Sequence, residues 1–425
     1  MTNSTITMDE VEHLINYTID NNNRLQEEEG KMPVSICLEA EAGVGKTSIV
    51  EQVAQKRNMT YTKIGLHELE EVGDLLGWPI MEYECQMAKR IKNEDGTTKL
   101  SILPGTTWLS AKQLESMEKN MAIKQTGRTR MSYAKPAWVP EYNPNGTLVC
   151  LDDFGRCNQS LSQAIMELVR TQSYVSWKLP KKTSIVLTSN PDNGTYNVNT
   201  QDVAQGDRYL NFSVSFSLDA WMKWAERANI DGRCINFVAS YSDELFNIDE
   251  QGNRICTPRS FVMFADMISG LKDWEDSDTM SFIHTIAKGC FKDEGSKFAS
   301  MFATFIKNKM HLLIQPKEML HGDWDKTYDK LVNTLYDGET SRPDIAALLE
   351  RRFSNYVTAW LNSDEKTPFE PVKKRILAFL DCGKNGTKRL FNRDQMYHMV
   401  KTITASNRRQ TNTLLSEPKV LELLR

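Results

Sequence analysis

Residues 34–47, VSICLEAEAGVGKT, constrain this chain more than any other stretch, because an apolar run opens into a glycine-bearing loop that closes on Gly45-Lys46-Thr47. Small residues let backbone N–H groups approach a bound anion, and a following helix points its positive end at it. The segment SIVEQVAQKR supplies that helix. A strand, a turn of Ala42, Gly43, Val44 and Gly45, and a helix opening at Lys46, Thr47 and Ser48 make a cradle for a triphosphate. Lys46 brings a mobile ammonium to the β- and γ-phosphates, and Thr47 offers a hydroxyl to Mg²⁺. The expected ligands are therefore ATP and Mg²⁺. The loop departs from G-x-x-x-x-G-K-[ST] at its first position, where Ala40 stands in place of glycine.

A triphosphate site needs a second element, an acid at the end of a neighbouring strand that holds the metal. GTLVCLDDFGRCNQSL (146–161) is such a strand, ending in two carboxylates. Asp152 is the expected Mg²⁺-linked residue, and Asp153 would orient or deprotonate the attacking water. Asp also caps helices well, so it is the combination with Gly45-Lys46-Thr47 that points to nucleotide chemistry. Asn190, closing the short strand TSIVLTSNP, is expected to hydrogen-bond the γ-phosphate or the water, although Asn-Pro also starts turns. Arg208 in GDRYLNF and Arg259 in TPRSF are the cationic candidates, since phosphoryl transfer spreads charge that a guanidinium can stabilise.

Around these motifs the periodicity predicts a helix over 8–25, with Val11, Leu14, Ile15 and Ile19 on one face, and a second strand over 59–66. A helix follows the carboxylates at 162–172. Buried strands alternating with helices indicate a parallel sheet covered on both faces. Residues 80–132 are polar and glycine-punctuated and look inserted; they carry nine Lys/Arg against six Asp/Glu. Arg128 and Arg130 read there as loop charges. From about Phe212 the pattern turns helical, and Trp221, Trp224, Phe237, Tyr241 and Phe246 space as helix faces packing a core.

Of 425 residues, 40% are hydrophobic and 25% charged, which is ordinary for a globular chain, and the net charge of −4 argues against a surface that coats nucleic acid. The segment from 364 to the end is basic, with 13 Lys/Arg against 7 Asp/Glu, and reads as helical packing with a solvated face. Eight cysteines form no CxxC pair, and six histidines show no metal-ligand spacing, so reduced thiols, no zinc and a cytoplasmic setting are expected. No apolar run reaches the 18 or so residues of a membrane span, and the N-terminus lacks a basic leader.

AEAGVGKTS, EVGDLLGWP, KPAWVPE, LVCLDDFGRCNQSLSQAIMELV, IVLTSNP, GDRYLNF and TPRSF, in that order, resemble the landmarks of the MoxR-like, dynein-related (midasin-like) branch of AAA+ ATPases. The resemblance covers about residues 8–270 and continues loosely to about 355. It implies an α/β P-loop NTPase (AAA+) parallel-sheet core over 8–212, an all-helical lid over 213–300 and a helical C-terminal extension over 301–425. It further implies a ring, commonly a hexamer, with ATP sites between subunits and chaperone-like remodelling of a protein partner, often a von Willebrand A-type protein. By that resemblance Lys46 and Thr47 are Walker A, Asp152 and Asp153 Walker B, and Asn190 sensor 1. Arg259 would be sensor 2 in cis, with Arg208 the arginine finger acting in trans and Arg156 a second trans candidate. The 80–132 insert would face the ring pore. Asp153 stands where the family has Glu, one methylene longer, so hydrolysis is expected to be slow. The alternatives are a nucleic-acid motor, as some relatives are, and a nucleotide switch or scaffold that hardly turns over.

Overall fold

The computed structural model describes residues 5–92, 98–118, 122–192, 207–248, 254–363, 366–383, 387–405 and 410–424. The chain folds as two units, Met1–Ser215 and Phe216–Arg425.

In the first unit the elements run β1 (Thr5–Ile6), α1 (Met8–Glu27), β2 (Ile36–Glu39), α2 (Lys46–Lys56), β3 (Thr60–Gly65) and α3 (Val72–Leu76). An antiparallel excursion follows: β4 (Pro79–Lys92), β5 (Thr98–Ile102), β6 (Thr107–Ser110), α4 (Ala111–Glu118) and β7 (Ala122–Tyr133). The chain then returns through β8 (Thr147–Asp152), α5 (Gln159–Thr171), the short pair β9 (Ser173–Tyr174) and β10 (Trp177–Lys178), β11 (Thr183–Ser189) and β12 (Leu210–Val214). Six strands form one sheet in the order β1-β12-β2-β11-β8-β3, and every neighbouring pair in it is parallel.

The apolar runs explain the sheet. Every residue of β8 and of β11 is buried, as expected of central strands covered on both sides. Alternate residues serve opposite faces. Ile36, Leu38, Leu148, Cys150 and Val186 pack with Val11, Ile15 and Ile19 of α1 and with Ile49, Val50 and Val53 of α2. Cys37, Val149, Leu151, Ile185 and Leu187 pack with Leu161, Ile165 and Leu168 of α5. All eight cysteines are free, and burial pushes the Cys37 and Cys150 thiols up to about 12, so they act as small apolar side chains.

The segment between α3 and β8 is a sheet of its own, in which β4 pairs with β5, β6 and β7. Its residues 93–97 and 119–121 lie outside the described ones. Arg128 and Arg130 therefore sit on strand β7 and not in a loop, and Arg130 donates from Nε to Glu82 Oε2 at 2.8 Å. A bulge interrupts the β4–β7 register between Tyr83 and Cys85, and Thr126 Oγ1 donates to Glu84 Oε2 there at 2.6 Å. Where this sheet joins the core, Gly77 is left-handed (φ 87°), and a Cβ would stand 1.9 Å from the Ala134 carbonyl oxygen. Only glycine lets the outgoing and returning strands close at that point.

The second unit is nearly all helix. Helices Leu218–Arg227, Gly232–Phe246, Pro258–Ile268, Ser277–Phe291 and Gly295–Lys307 bury one apolar cluster. Trp221, Phe237 and Phe246 lie inside it and Trp224 and Tyr241 pack against it, so the aromatic set is core. A second cluster forms under Pro316–His321, Trp324–Leu335, Pro343–Ser363, Glu370–Asp381 and Arg393–Thr404. The basic segment contributes Met396, Met399, Val400 and Ile403 to that core; its residues 406–409 lie outside the described ones. Among the described residues no helix is long and apolar enough to cross a membrane.

Candidate functional site

The sheet brings the ends of β2, β8 and β11 side by side, where the C-terminal edge of a parallel sheet collects ligands. After β2 the loop turns through two left-handed glycines, Gly43 (φ 83°) and Gly45 (φ 101°), and Gly45 caps α2. Ala40 falls outside those turns; it is buried and belongs to the apolar cluster that α1, α2 and the sheet share. A methyl group there fills the core without closing the loop, which accounts for alanine at that position.

Lys46 is the first residue of α2 and is buried. Its Nζ donates to the Ala40 carbonyl at 2.6 Å, to the Glu41 carbonyl at 3.1 Å and to Asn190 Oδ1 at 3.1 Å. The amine thus lies within the loop that would surround phosphate, and these three acceptors are neutral groups that an anion can replace. Thr47 Oγ1 donates to Asp152 Oδ1 at 2.7 Å, so its oxygen keeps lone pairs for a cation. Thr188 Oγ1 donates to the same oxygen at 2.5 Å, and Lys63 Nζ lies 2.9 Å from Asp152 Oδ2. Burial alone would raise the Asp152 carboxyl, but hydrogen bonds from Thr188, Lys63 and Thr47 outweigh it and hold the group below its usual range.

Asp153 lies one residue beyond the strand in the left-handed region (φ 59°, ψ 42°), a conformation that Asp and Asn adopt more readily than other non-glycine residues. Its backbone N–H donates to Thr188 Oγ1 at 3.3 Å. Its carboxylate has Asn190 Nδ2 at 3.5 Å, His67 Nδ1 at 3.6 Å and Arg156 at 3.9 Å. Asn190 thereby links the Lys46 amine to the second acid.

The structure brings Ala42 to Ser48, Asp152, Asp153 and Asn190 into one cluster within the first unit. It also sets Arg156 Nη1 3.9 Å from Asp153 Oδ2 of its own chain, with the arginine side chain partly exposed. Arg208 is exposed just ahead of β12, and Arg259 is exposed at the start of helix Pro258–Ile268 in the second unit. Lys63, His67 and Thr188 are missing from the sequence reading. A signal existed for one of them: Thr188 is a hydroxyl inside a fully buried run.

The donor set suits the expected ligands. Left-handed glycines, the N-terminus of α2 and a lysine fit a polyphosphate, and the Thr47 and Asp152 oxygens fit Mg²⁺, a hard cation. Mg²⁺ favours six oxygens, so phosphates and water would supply the rest.

This strand order, a glycine-turned loop between β2 and α2, and a following helical unit make an α/β parallel-sheet fold of the P-loop NTPase type with a helical C-terminal region. No family model and no curated protein matches the chain. Among solved structures it is similar to a proline-to-glycine point mutant of RuvB from Thermotoga maritima, at 12% identity and a TM-score of 0.35, over 79% of this chain and 92% of that one.

Proposed function

We propose that the protein binds and hydrolyses ATP with Mg²⁺ and works as a remodelling ATPase of the MoxR-like kind, in a ring whose sites are completed by a neighbouring subunit. The observation that carries this reading is the connected set Lys46–Asn190–Asp153 with Thr47–Asp152 at the ends of three adjacent strands. Lys46, the loop N–H groups and the start of α2 bind the phosphates. Mg²⁺, when bound at Thr47 and Asp152, would neutralise charge that develops between the phosphates. Asp153 takes the water's proton or orients it, and Asn190 holds the γ-phosphate and keeps Asp153 in line. Arg208, exposed at the surface, is the candidate to reach a neighbour's nucleotide, and Arg259 would report nucleotide from the helical unit.

The substrate is proposed to be a protein, a von Willebrand A-type partner being the family's pattern. A nucleic-acid track is less favoured, because Arg130 and Arg128 of the insert face Glu82 and Glu84 and their charge is partly offset. A slow switch is the second reading, supported by the short acid at 153 and by the Arg156 and His67 side chains already near it.

Two measurements test the proposal. Specific Mg-ATPase activity should climb with protein concentration and then plateau, against Lys46→Ala as blank; specific activity that stays constant from the lowest concentration upward would remove the neighbour's contribution. Asp153→Asn keeps a residue suited to the left-handed backbone and removes the charge, so phosphate release should fall roughly 10²–10⁴-fold while ATP binding holds. Unchanged turnover would take Asp153 out of the chemistry.

A further inference from the structure

Lys63 is a part of the carboxylate's surroundings that the nucleotide motifs do not require. It projects from β3, whose backbone pairs with β8 through Lys63 and Cys150, and its amine reaches Asp152 Oδ2 at 2.9 Å. Both Asp152 oxygens are then engaged: Oδ1 accepts from Thr47 and Thr188, and Oδ2 faces the ammonium. The threonines and the lysine differ in one respect. Thr188 is buried and belongs to the sheet, whereas the Lys63 side chain is 47% exposed on a flexible stem. It can leave without disturbing the core, and Glu68, in the turn after β3, lies within electrostatic reach as a second carboxylate.

We propose that Lys63 is a resident counter-cation that keeps the metal position closed to divalent ions until nucleotide is present. A charge already paired with Asp152 repels a second cation at that spot and removes the negative potential that would attract one. Phosphates add enough negative charge to reverse the balance, and Lys63 then swings from Asp152 toward solvent or Glu68. The protein would accordingly take up metal with ATP and not before it. This inference rests on the nucleotide-site reading above.

Mn²⁺ titration of the nucleotide-free, full-length protein, followed by electron paramagnetic resonance, tests it. Lys63→Met, which keeps the stem and removes the charge, should bind Mn²⁺ about tenfold more tightly than wild type, and Lys63→Arg should match wild type. The gain should vanish when Asp152→Asn is added to Lys63→Met, because the two residues act as one coupled pair. Equal Mn²⁺ affinity in Lys63→Met and wild type overturns the inference. Binding of a fluorescent ATP analogue to the same wild-type sample separates the two failures. If the analogue binds and Mn²⁺ affinity does not change, only the role of Lys63 is lost; if it does not bind, the nucleotide site itself is wrong. Should circular dichroism show Lys63→Met misfolded, Lys63→Gln takes its place under the same criterion.

Discussion

Lys46→Ala should lose ATP affinity by roughly a hundredfold or more, since each charge-assisted hydrogen bond to phosphate is worth about 1.5–3 kcal/mol and the amine would make two. Burial sharpens the effect. The amine sits at 8% exposure among the Ala40 and Glu41 carbonyls and Asn190, where water is a poor substitute for it. The fold should survive, because these hydrogen bonds run to loop carbonyls and an amide, which are neutral groups, and the ammonium's field is the smallest of the influences on half-buried Glu39. Equilibrium titration with a fluorescent ATP analogue reads the loss directly. Retained tight binding would mean that the loop between β2 and α2 is a structural turn.

The second large effect lies in the helical unit and owes nothing to nucleotide. Arg352, fully buried in helix Pro343–Ser363, donates to Glu226 Oε1 at 2.9 and 3.1 Å, to Asn236 Oδ1 at 2.6 Å and to Gln315 Oε1 at 3.1 Å. These partners come from helices Leu218–Arg227 and Gly232–Phe246 and from the residue ahead of helix Pro316–His321. The guanidinium therefore ties the two apolar clusters of the unit together. Gly232 leaves it room, since a Cβ there would stand 1.9 Å from Gln315 Oε1. Arg352→Ala strands Glu226, whose side chain is only 10% exposed, as an unpaired charge and should cost about 3 kcal/mol, lowering the melting temperature by roughly 10 °C. Pairing Arg352→Met with Glu226→Leu should recover part of that, because the stranded charge is gone while Asn236 Oδ1 and Gln315 Oε1 still lose their donor. Calorimetry on these variants decides it: an Arg352→Ala protein as stable as wild type would show that water already solvates the network.

Much of the first unit was legible because its signals are local. The loop announces itself through Gly43, Gly45 and Lys46, and β8 and β11 through unbroken apolar runs, since a strand buried on both faces cannot alternate. What escaped is set at longer range. Nothing in ICLE tells that β2 lies between β12 and β11, because pairing partners are chosen across the whole chain. The antiparallel insert hides behind its own irregularity: the bulge at Tyr83–Cys85 shifts the alternation, and a strand that changes phase midway reads as loop. Lys63 escapes for a related reason. Its significance comes from Asp152 on a neighbouring strand, and a lysine in a half-exposed strand looks like ordinary surface.

The pairing order also has a consequence for synthesis. Lys46 and Asn190 are 144 residues apart in sequence, and β1 pairs with β12 through Thr5 and Ser213. A ribosome adding roughly 5–20 residues per second therefore leaves the loop between β2 and α2 without its partners for on the order of ten seconds. Over that interval the antiparallel β4–β7 segment, whose strands pair within about fifty residues, can form by itself while β2 and β3 wait for the rest of their sheet. The nascent chain thus exposes apolar parallel strands well before it has anywhere to bury them, and its dependence on holding factors during translation should exceed that of the finished protein.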